Sequence, residues 1–345
     1  MKHIAIFLTI FCVVLPCKAA EKQTWVEIDN TVYGAKPDKR GPIGGRAGYA
    51  NIIVKRDYTV KDLDELLEAL SKAKAGQIVF IPAETVIDLT ARIYIEQIVL
   101  DVPEGVTLAG DRGKGASKGA LLTSDALKTP VIIRASGLDV RITGLRIQGP
   151  NPKRYLEHHR RSFGKGGKGH EYYYKLPTSN GITTEYSRLE VDNCEISGFS
   201  HAGIYLMTGE GHHIHHNLIH HNTASSLIDR NLFNWNRHSI AGTGRPGNSY
   251  VARHNVELGI SLSHCFDMHG GRDRKDGTDI AGTSIEIYNN TFRAKQTPVV
   301  IRGVPQDKCL VHHNWFVKHH EASQAVRSSG KTKVFKNQPD AFPSL

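Results

Sequence analysis

The sequence predicts an all-β fold, a parallel β-helix in which short strands stack coil upon coil, and a regularly spaced asparagine motif leads to this prediction. The motif is clearest within Ile285–Phe292, IEIYNNTF, as an apolar residue, two polar residues, an asparagine, a polar residue and an apolar residue. The same pattern recurs at Val191–Ile196 (with Cys194 in the asparagine place), Ile214–Ile219, Ile228–Phe233, Val311–Phe316 and Val334–Pro339.

The spacing of the motif indicates a solenoid. Cys194 and Asn217 are 23 residues apart, and Asn290 and Asn314 are 24 residues apart. A period in the low twenties, built of short strand-like runs and polar turns, is typical of stacked coils. Leucine-rich repeats share this period, but their leucine-dense consensus is missing. We expect the asparagines to form a ladder inside a turn, because asparagine tolerates the left-handed conformation and bonds neighbouring backbone.

An amphipathic helix is predicted before the first coil. Val60–Ala73 carries apolar residues at positions 63, 66, 67 and 70, which is helical spacing. A solenoid needs a cap at its open end, and this helix is placed to provide one. Short strands are expected after it, beginning with Gln77–Phe80, Val86–Leu89 and Ile93–Ile95.

The chain is predicted to contain an export signal followed by one domain. Residues 1–20 combine Lys2, the apolar run Ile4–Leu15 and the small pair Ala19–Ala20, as signal peptides do. The apolar run is too short to span a bilayer. Lipid attachment at Cys17 is the less favoured alternative, because a proline precedes that cysteine. We therefore expect a secreted or periplasmic protein whose residues 21–345 form a single β-helix domain.

Charge indicates an acidic partner. Lys and Arg number 44 against 34 Asp and Glu, and removal of Lys2 and Lys18 leaves 42 − 34 = +8. A cationic surface concentrates polyanions, and outside the cell these include acidic polysaccharides. No nucleic-acid-binding motif is present. The cysteines that remain after removal of the signal are scattered and predict no disulfide framework. We expect a monomer without a membrane span.

Three segments carry a resemblance to a known family. They are Val106–Gly110, Ile132–Arg134 and Leu145–Ile147, which follow the predicted helix and GQIVFIPAETVIDL. In this order they resemble the first coils of pectate-lyase-like right-handed parallel β-helix proteins. The resemblance implies a right-handed coil and a polysaccharide substrate. The catalytic motifs of pectate lyases, an Asp-His strand motif and an Arg-containing motif, are not found.

The segment 151–179 interrupts the repeat. It is rich in Lys and Arg, contains only Glu157 and Glu171 as acids, and holds interleaved aromatic residues and the glycine-rich run GKGGKG. We expect a basic insertion loop, either a solvated surface loop or a flap that lays cations and aromatic rings over an anionic sugar chain.

A candidate catalytic face follows from aligning the strands between successive asparagines. If Phe266 and Met268 point inward, Asp267 points outward, because side chains alternate along a strand. The alignment places further polar residues on the same face. The predicted catalytic residues are His269, Asp267, Arg302, His238, Arg237 and Tyr205, and the predicted substrate-binding residues are Arg272, Arg245, Arg160, Arg161 and Tyr173.

This combination is suited to β-elimination at a uronic acid. An arginine would neutralise the carboxylate and acidify the C5–H bond, a histidine would remove the proton, and a tyrosine or histidine would protonate the leaving oxygen. The sequence therefore predicts a lyase for acidic polysaccharides. A glycoside hydrolase that pairs Asp267 with a loop acid, and a non-catalytic carbohydrate-binding β-helix, are the alternatives.

No metal ligand is assigned from the sequence. The histidines of GHHIHHNLIHHN at Gly211–Asn222 are interpreted as stacked surface residues, with a transition-metal site as the alternative. A calcium site between Asp273, Asp276 and Asp279 is also conceivable, but the spacing matches no standard calcium loop. We expect no cofactor.

Overall fold

A computed structural model describes residues 23–150, 152–220 and 228–339, except for the side chains of residues 152–154. Most of these residues lie in or between short strands that pair in parallel and stack into large sheets. The expectation of an all-β parallel solenoid is thereby confirmed. The predicted signal sequence at residues 1–20 lies outside the described residues.

Two long sheets run along the solenoid. Sheet I has eleven strands: Tyr58–Thr59, Ile78–Phe80, Thr107–Ala109, Arg141–Thr143, Glu190–Asp192, His213–His215, Ile228–Asp229, Tyr250–Arg253, Ser284–Tyr288, Lys308–His312 and Thr332–Phe335. Sheet II has ten: Val86–Asp88, Leu121–Thr123, Arg146–Gln148, Glu195–Ser197, Leu218–His220, Leu232–Asn234, Val256–Glu257, Thr291–Phe292, Trp315–Phe316 and Gln338–Pro339.

A third face of the solenoid is divided between two sheets of four strands. Sheet III contains Leu100–Val102, Ile133–Ala135, Asn180–Thr184 and Ala202–Leu206. Sheet IV contains Ile240–Gly242, Phe266–Met268, Val299–Ile301 and Val326–Arg327. Among the described residues, no strand pairing joins Ala202–Leu206 to Ile240–Gly242.

The helices are few. They are α1 Leu63–Lys72, α2 Thr90–Glu96, α3 Pro152–Phe163, α4 Gly169–Tyr173, α5 Gly271–Arg274 and α6 Ala322–Ala325. In the part of the chain that the structure describes, no helix is both long and apolar enough to cross a membrane.

Helix α1 is the predicted capping helix. The carboxylate of Asp62 accepts a hydrogen bond from the Glu65 N–H at 2.9 Å, which satisfies a free donor of the first turn. Leu66 and Leu70, one turn apart, are buried against the first strands of the solenoid. The strand predicted at Ile93–Ile95 is wrong, because these residues lie in α2, where Ile93 is buried and Ile95 is 79% exposed.

The asparagine ladder is present and joins consecutive coils. The Oδ1 atom of Asn290 accepts a hydrogen bond from the Asn255 N–H at 3.0 Å, and its Nδ2 donates to the Ala252 carbonyl at 2.9 Å. The same bonds recur around Asn217, Asn231, Asn255, Asn314 and Asn337.

The left-handed conformation belongs to the residue before each rung, not to the asparagine itself. The residues with positive φ are Asn193, His216, Arg230, His254, Asn289, His313 and Lys336. The turn therefore bends one position earlier than expected. This frees the asparagine side chain to lie along the stack and bond the next coil.

Phenylalanine rings contact one another in the interior beside the ladder, edge-to-face between Phe266 and Phe292 and stacked between Phe292 and Phe316. The ring centroids of Phe266 and Phe292 are 4.8 Å apart, and those of Phe292 and Phe316 are 5.5 Å apart. All three side chains are fully buried. Aromatic contacts of this kind add to the free energy gained by burying the apolar surface of the rings.

Residues 24–49 lie across the turns that hold the ladder. After a hairpin of Trp25–Ile28 and Thr31–Gly34, the Gly34 N–H donates to the His313 carbonyl at 3.0 Å. Further along, the Arg46 N–H donates to Oδ1 of Asn193 at 2.7 Å. This segment therefore runs from the last coils back towards the first ones.

The segment 151–179 differs from the expected loop. It contains helices α3 and α4, which contact each other. Tyr155, His159 and Phe163 are spaced four residues apart, so their rings share one face of α3 and pack together, with His159 and Phe163 5.1 Å apart. Phe163 also contacts Tyr173 of α4 at 5.1 Å. Aromatic packing stabilises a helical hairpin where composition indicated a loop.

Candidate functional site

A cleft of about 970 Å³ lies where sheets III and IV meet the loops that lead into sheet I. Its walls include the loops around Thr208–Gly211 and Thr243–Asn248, and the end of helix α4 covers one side. The predicted residues that line it are Tyr173, Tyr205, Arg237, His238, Arg245 and His269. Six of the eleven predicted site residues are therefore brought together.

The other predicted residues do not line the cleft. Arg160 and Arg161 both form ion pairs with Glu157 on the surface of α3. Arg272 is 85% exposed at its side chain and lies near Asp279, at 3.5 Å. These three arginines are placed to contact only a ligand that extends beyond the cleft.

The register of sheet IV agrees with the sequence alignment. Ala241 pairs with Asp267, and Asp267 pairs with Val300. Two positions before these strands, this register brings His238 level with His264. Tyr205 instead lies in sheet III, on the far side of the gap between the two sheets.

Asp267 is buried behind the cleft among cationic partners. Its carboxylate is fully buried and accepts a bidentate pair of hydrogen bonds from Arg302. Nε2 atoms of His264 and His269 each lie 3.2 Å from it. Burial alone would raise the pKa of Asp267, but His264, His269 and Arg302 hold it well below its usual range. Asp267 is therefore ionised and cannot act as a general acid.

His269 is the member of this group that a ligand can reach. Its side chain is 35% exposed and lines the cleft. Nε2 lies 3.2 Å from Asp267 and 3.1 Å from Nη2 of Arg302, and Nδ1 lies 3.6 Å from Asp273. A histidine held by a buried carboxylate has a fixed orientation and can exchange a proton with a bound substrate.

Arg302 has a different position from the one its predicted role requires. Its guanidinium is bound to Asp267 and lies 3.3 Å from Asp273, so both carboxylates compete for its charge. Burial opposes the charged form, but these carboxylates raise the pKa of Arg302. Arg302 is thus engaged with the protein rather than free to bind a substrate carboxylate.

Arg274 lines the cleft but is paired with Asp276, which leaves two further arginines of the cleft, Arg237 and Arg245. Among the described residues, neither forms an ion pair with a carboxylate. The guanidinium of Arg237 lies over the Tyr173 ring at 4.9 Å and near Phe163 at 5.8 Å. Such cation–π contacts leave the hydrogen-bond donors at the edge of the guanidinium available. They also connect the α3–α4 hairpin to the cleft.

His238, which lines the cleft, contacts His264 with the two rings tilted against each other. Their ring centroids are 4.1 Å apart, and Nδ1 of His238 lies 3.0 Å from the His264 carbonyl oxygen. Burial lowers the pKa of His238 to about 3, so its ring is neutral at physiological pH. His264 was not predicted as a site residue, although it lies in the same HCFDMH segment as Asp267 and His269.

His201 is a second residue that the sequence prediction missed. It lines the cleft, and its ring meets the Tyr205 ring edge-on at 5.0 Å. Nδ1 of His201 lies 2.7 Å from Oδ1 of Asn180, which can only accept a hydrogen bond; Nδ1 therefore carries the proton. His201 and Tyr205 are four residues apart, so the alternation of side chains along a strand places both on the same face. The sequence alone could have indicated this contact.

The histidine run has a repeated structural arrangement. Nε2 of His215 lies 3.0 Å from Glu190, and Nδ1 lies 2.9 Å from His216. His312 makes the equivalent contacts with Glu286 and His313. The repeat agrees with the stacked interpretation, although the rings are more buried than expected of surface residues.

Two groups of described residues place three metal-ligating atoms within 4.8 Å of one another: Glu190, His213 and His215, and His238, His264 and Asp267. The three aspartates considered for calcium are not among these groups. Asp276, for example, accepts hydrogen bonds from Thr278 and Arg274.

Comparisons with known proteins assign no family to the chain. No protein-family model matches it, and none of the curated proteins matches it either.

Proposed function

We propose that this protein is a lyase that cleaves a uronate-containing polysaccharide by β-elimination. The observation that carries the proposal is His269, which reaches an open cleft while the buried Asp267 holds its ring. Tyr205 and two arginines without carboxylate partners among the described residues line the same cleft. A base, a proton donor and cationic groups are the components that this reaction needs.

In the proposed reaction, Arg237 and Arg245 bind the carboxylate of the sugar. Their charge stabilises the negative charge that develops when the C5–H bond breaks. His269 takes the C5 proton, the C4–O bond breaks, and a C4–C5 double bond forms. Tyr205 gives its proton to the leaving oxygen. Asp267 stabilises the imidazolium of His269 and fixes its ring, as a positioning residue.

Glycoside hydrolysis is the second candidate function, because Glu210, Asp273 and Glu286 also line the cleft. A hydrolase needs a protonated acid and a second carboxylate at a defined separation. Asp267 is ill-suited to either role, since it is buried and paired with Arg302. Hydrolysis would have to use two of these three acids, and this makes it the weaker candidate.

The test is ultraviolet absorbance of the unsaturated uronate product across a panel of acidic polysaccharides. His269→Ala should reduce the rate by roughly 10²–10⁴-fold, the usual contribution of a general base, and Tyr205→Phe should also reduce it. His220→Ala is the matched control: His220 lies in sheet II near Glu195, away from the cleft, and the rate should not change.

Each other outcome has a distinct meaning. New reducing ends without the ultraviolet signal would replace the lyase with a hydrolase. Binding of a polysaccharide without either product would favour a non-catalytic binding protein. An ultraviolet signal that persists in His269→Ala would refute the assigned base.

We further propose that the solenoid is a right-handed β-helix related to the pectate-lyase-like superfamily. Parallel strands joined by a crossover within one sheet are right-handed in nearly all known cases, and the resemblance of the first coils agrees with this. A crystal structure would test the handedness.

We also propose export through the signal at residues 1–20 and a monomeric state. N-terminal sequencing of the exported protein and light scattering would test these two proposals.

A further inference from the structure

We propose that His238, His264 and Asp267 form a binding site for one divalent transition-metal ion, and that zinc suits this donor set best. Each residue offers a ligand atom, and the three atoms lie within 4.8 Å of one another. Two imidazoles and one carboxylate are a common ligand set of catalytic zinc sites, which keep a fourth position open. The proposal does not depend on the lyase activity.

His238 provides the strongest observation. Its Nδ1 lies against the His264 carbonyl, which can only accept a hydrogen bond, so Nδ1 carries the proton and Nε2 carries a lone pair. Nε2 is buried without a hydrogen-bond partner among the described residues, and His238 is only 2% exposed. A buried polar atom without a partner costs free energy, and a bound metal ion would supply the missing partner. Metal-binding histidines usually donate a hydrogen bond from the other ring nitrogen, as Nδ1 of His238 does here.

The distance between His264 and Asp267 also fits a shared ion. Nε2 of His264 lies 3.2 Å from Oδ1 of Asp267, yet it too has no partner with hydrogen-bond geometry. With bonds of roughly 2.0–2.1 Å, the ligand atoms of a tetrahedral zinc ion lie about 3.3 Å apart. A small movement of His238 towards His264 and Asp267 would place the three ligand atoms at three corners of the tetrahedron.

The surrounding charges permit a cation. Arg302 binds Asp267 and would repel an ion, but the carboxylate of Asp273 lies 3.3 Å from the same guanidinium. Arg237 also acts on His238, so the two carboxylates offset the two arginines near the site. Arg302 and His269 would hold the carboxylate of Asp267 as outer partners, an arrangement typical of metal ligands. His238 lines the cleft, so the open position would face it.

The group of Glu190, His213 and His215 serves as an internal comparison. Both ring nitrogens of His215 already have partners, Glu190 and His216. His215 therefore lacks the unpartnered buried nitrogen that His238 has, and we expect this group to bind metal more weakly than the proposed site.

The experiment is a titration of metal-free, untagged protein with Co²⁺ and then Zn²⁺. We expect one Co²⁺ per chain, with the intense visible absorption of tetrahedral cobalt, and loss of that absorption when Zn²⁺ displaces it. His238→Ala and His264→Ala should each weaken binding by at least about 100-fold. His213→Ala, in the comparison group, should leave the affinity unchanged. Circular dichroism and urea unfolding check that each variant folds.

Two outcomes would overturn the proposal. The first is absence of stoichiometric binding to the folded wild-type protein. The second is binding that survives in folded His238→Ala and His264→Ala, above all if His213→Ala removes it. Because no substrate is present in the titration, failure here is distinct from failure of the proposed lyase.

Discussion

Replacement of Asn290 by alanine tests whether the asparagine ladder holds the coils together. Asn290 is fully buried, and its side chain accepts from the Asn255 N–H at 3.0 Å and donates to the Ala252 carbonyl at 2.9 Å. It also bonds the next rung, Asn314, at 2.9 Å. The variant would therefore leave the N–H of Asn255 and neighbouring amide groups without partners inside the protein.

The expected cost follows from these groups. A buried donor or acceptor that loses its partner costs about 1–3 kcal/mol, and two such groups give about 2–6 kcal/mol for Asn290→Ala. Asn337 makes the same kind of bonds at the last rung but is only half-buried, so water can replace them. We expect Asn337→Ala to cost about 1 kcal/mol or less.

Urea unfolding measures both variants. The midpoint for Asn290→Ala should fall well below that for Asn337→Ala, with similar slopes if both unfold as cooperative units. Hydrogen exchange of the Asn255 N–H should accelerate in the Asn290 variant only. Equal midpoints for the two variants, or an Asn290→Ala midpoint within error of the wild type, would refute the argument that buried rungs stabilise the stack.

Three further predictions concern other parts of the molecule. Burial raises the pKa of Glu257 to about 8, so the folded protein keeps a proton that the unfolded chain has lost. The free energy of unfolding should therefore fall as pH rises from about 5 to about 8. Urea unfolding at several pH values should show a smaller fall for Glu257→Gln, and an equal fall in the variant and the wild type would contradict the prediction. Gly45→Ala should destabilise the protein by at least about 1 kcal/mol, because φ is +67° and a Cβ would lie 2.4 Å from a backbone carbonyl oxygen. Gly76→Ala, also at positive φ but in open space, is the control, and equal shifts of the melting temperature would refute the steric argument. Tyr173→Leu should remove the ring that contacts Arg237 and make helix α3 more sensitive to limited proteolysis; an unchanged cleavage rate would show that this contact does not hold the hairpin.

The repeat could be predicted because each rung depends on one residue type at one spacing. Asn217, Asn290 and Asn314 are read directly from the sequence, and each makes the expected inter-coil bonds. The backbone conformation of each turn was harder to predict. Many polar residues tolerate the left-handed position, so the sequence did not indicate that the bend precedes the asparagine, at His216 for example.

The helical hairpin was missed for a physical reason. Its Lys, Arg and Gly content is that of a loop, and composition outweighed a weak periodic signal. The aromatic rings of Tyr155, His159 and Phe163 are one turn apart and pack along α3. His159 and Phe163 also contact Tyr173 of α4, and these contacts supply the apolar packing that the composition conceals. Similarly, the exposed Tyr94 and Ile95 gave α2 an apolar composition that suggested a strand.

The cleft was only partly predictable, because alternation along a strand assigns a face but not the partners on that face. Alternation predicted that Asp267 points outward, but it could not indicate that Asp267 would be fully buried, with Arg302 and His269 against its carboxylate. The distinction matters for chemistry. A carboxylate exposed on the face could serve a hydrolase, whereas one buried beneath Arg302 can only orient its neighbours or bind a cation.

Two intervals of the asparagine ladder near the cleft are irregular. Most rungs are 23 or 24 residues apart, but Asn217 and Asn231 make the same bond at a separation of 14 residues, and Asn255 and Asn290 at a separation of 35. Among the described residues, sheet III ends at Ala202–Leu206 and sheet IV begins at Ile240–Gly242. Tyr205 and His269 therefore line the same cleft from two separate sheets, a relation that alternation along one strand cannot indicate.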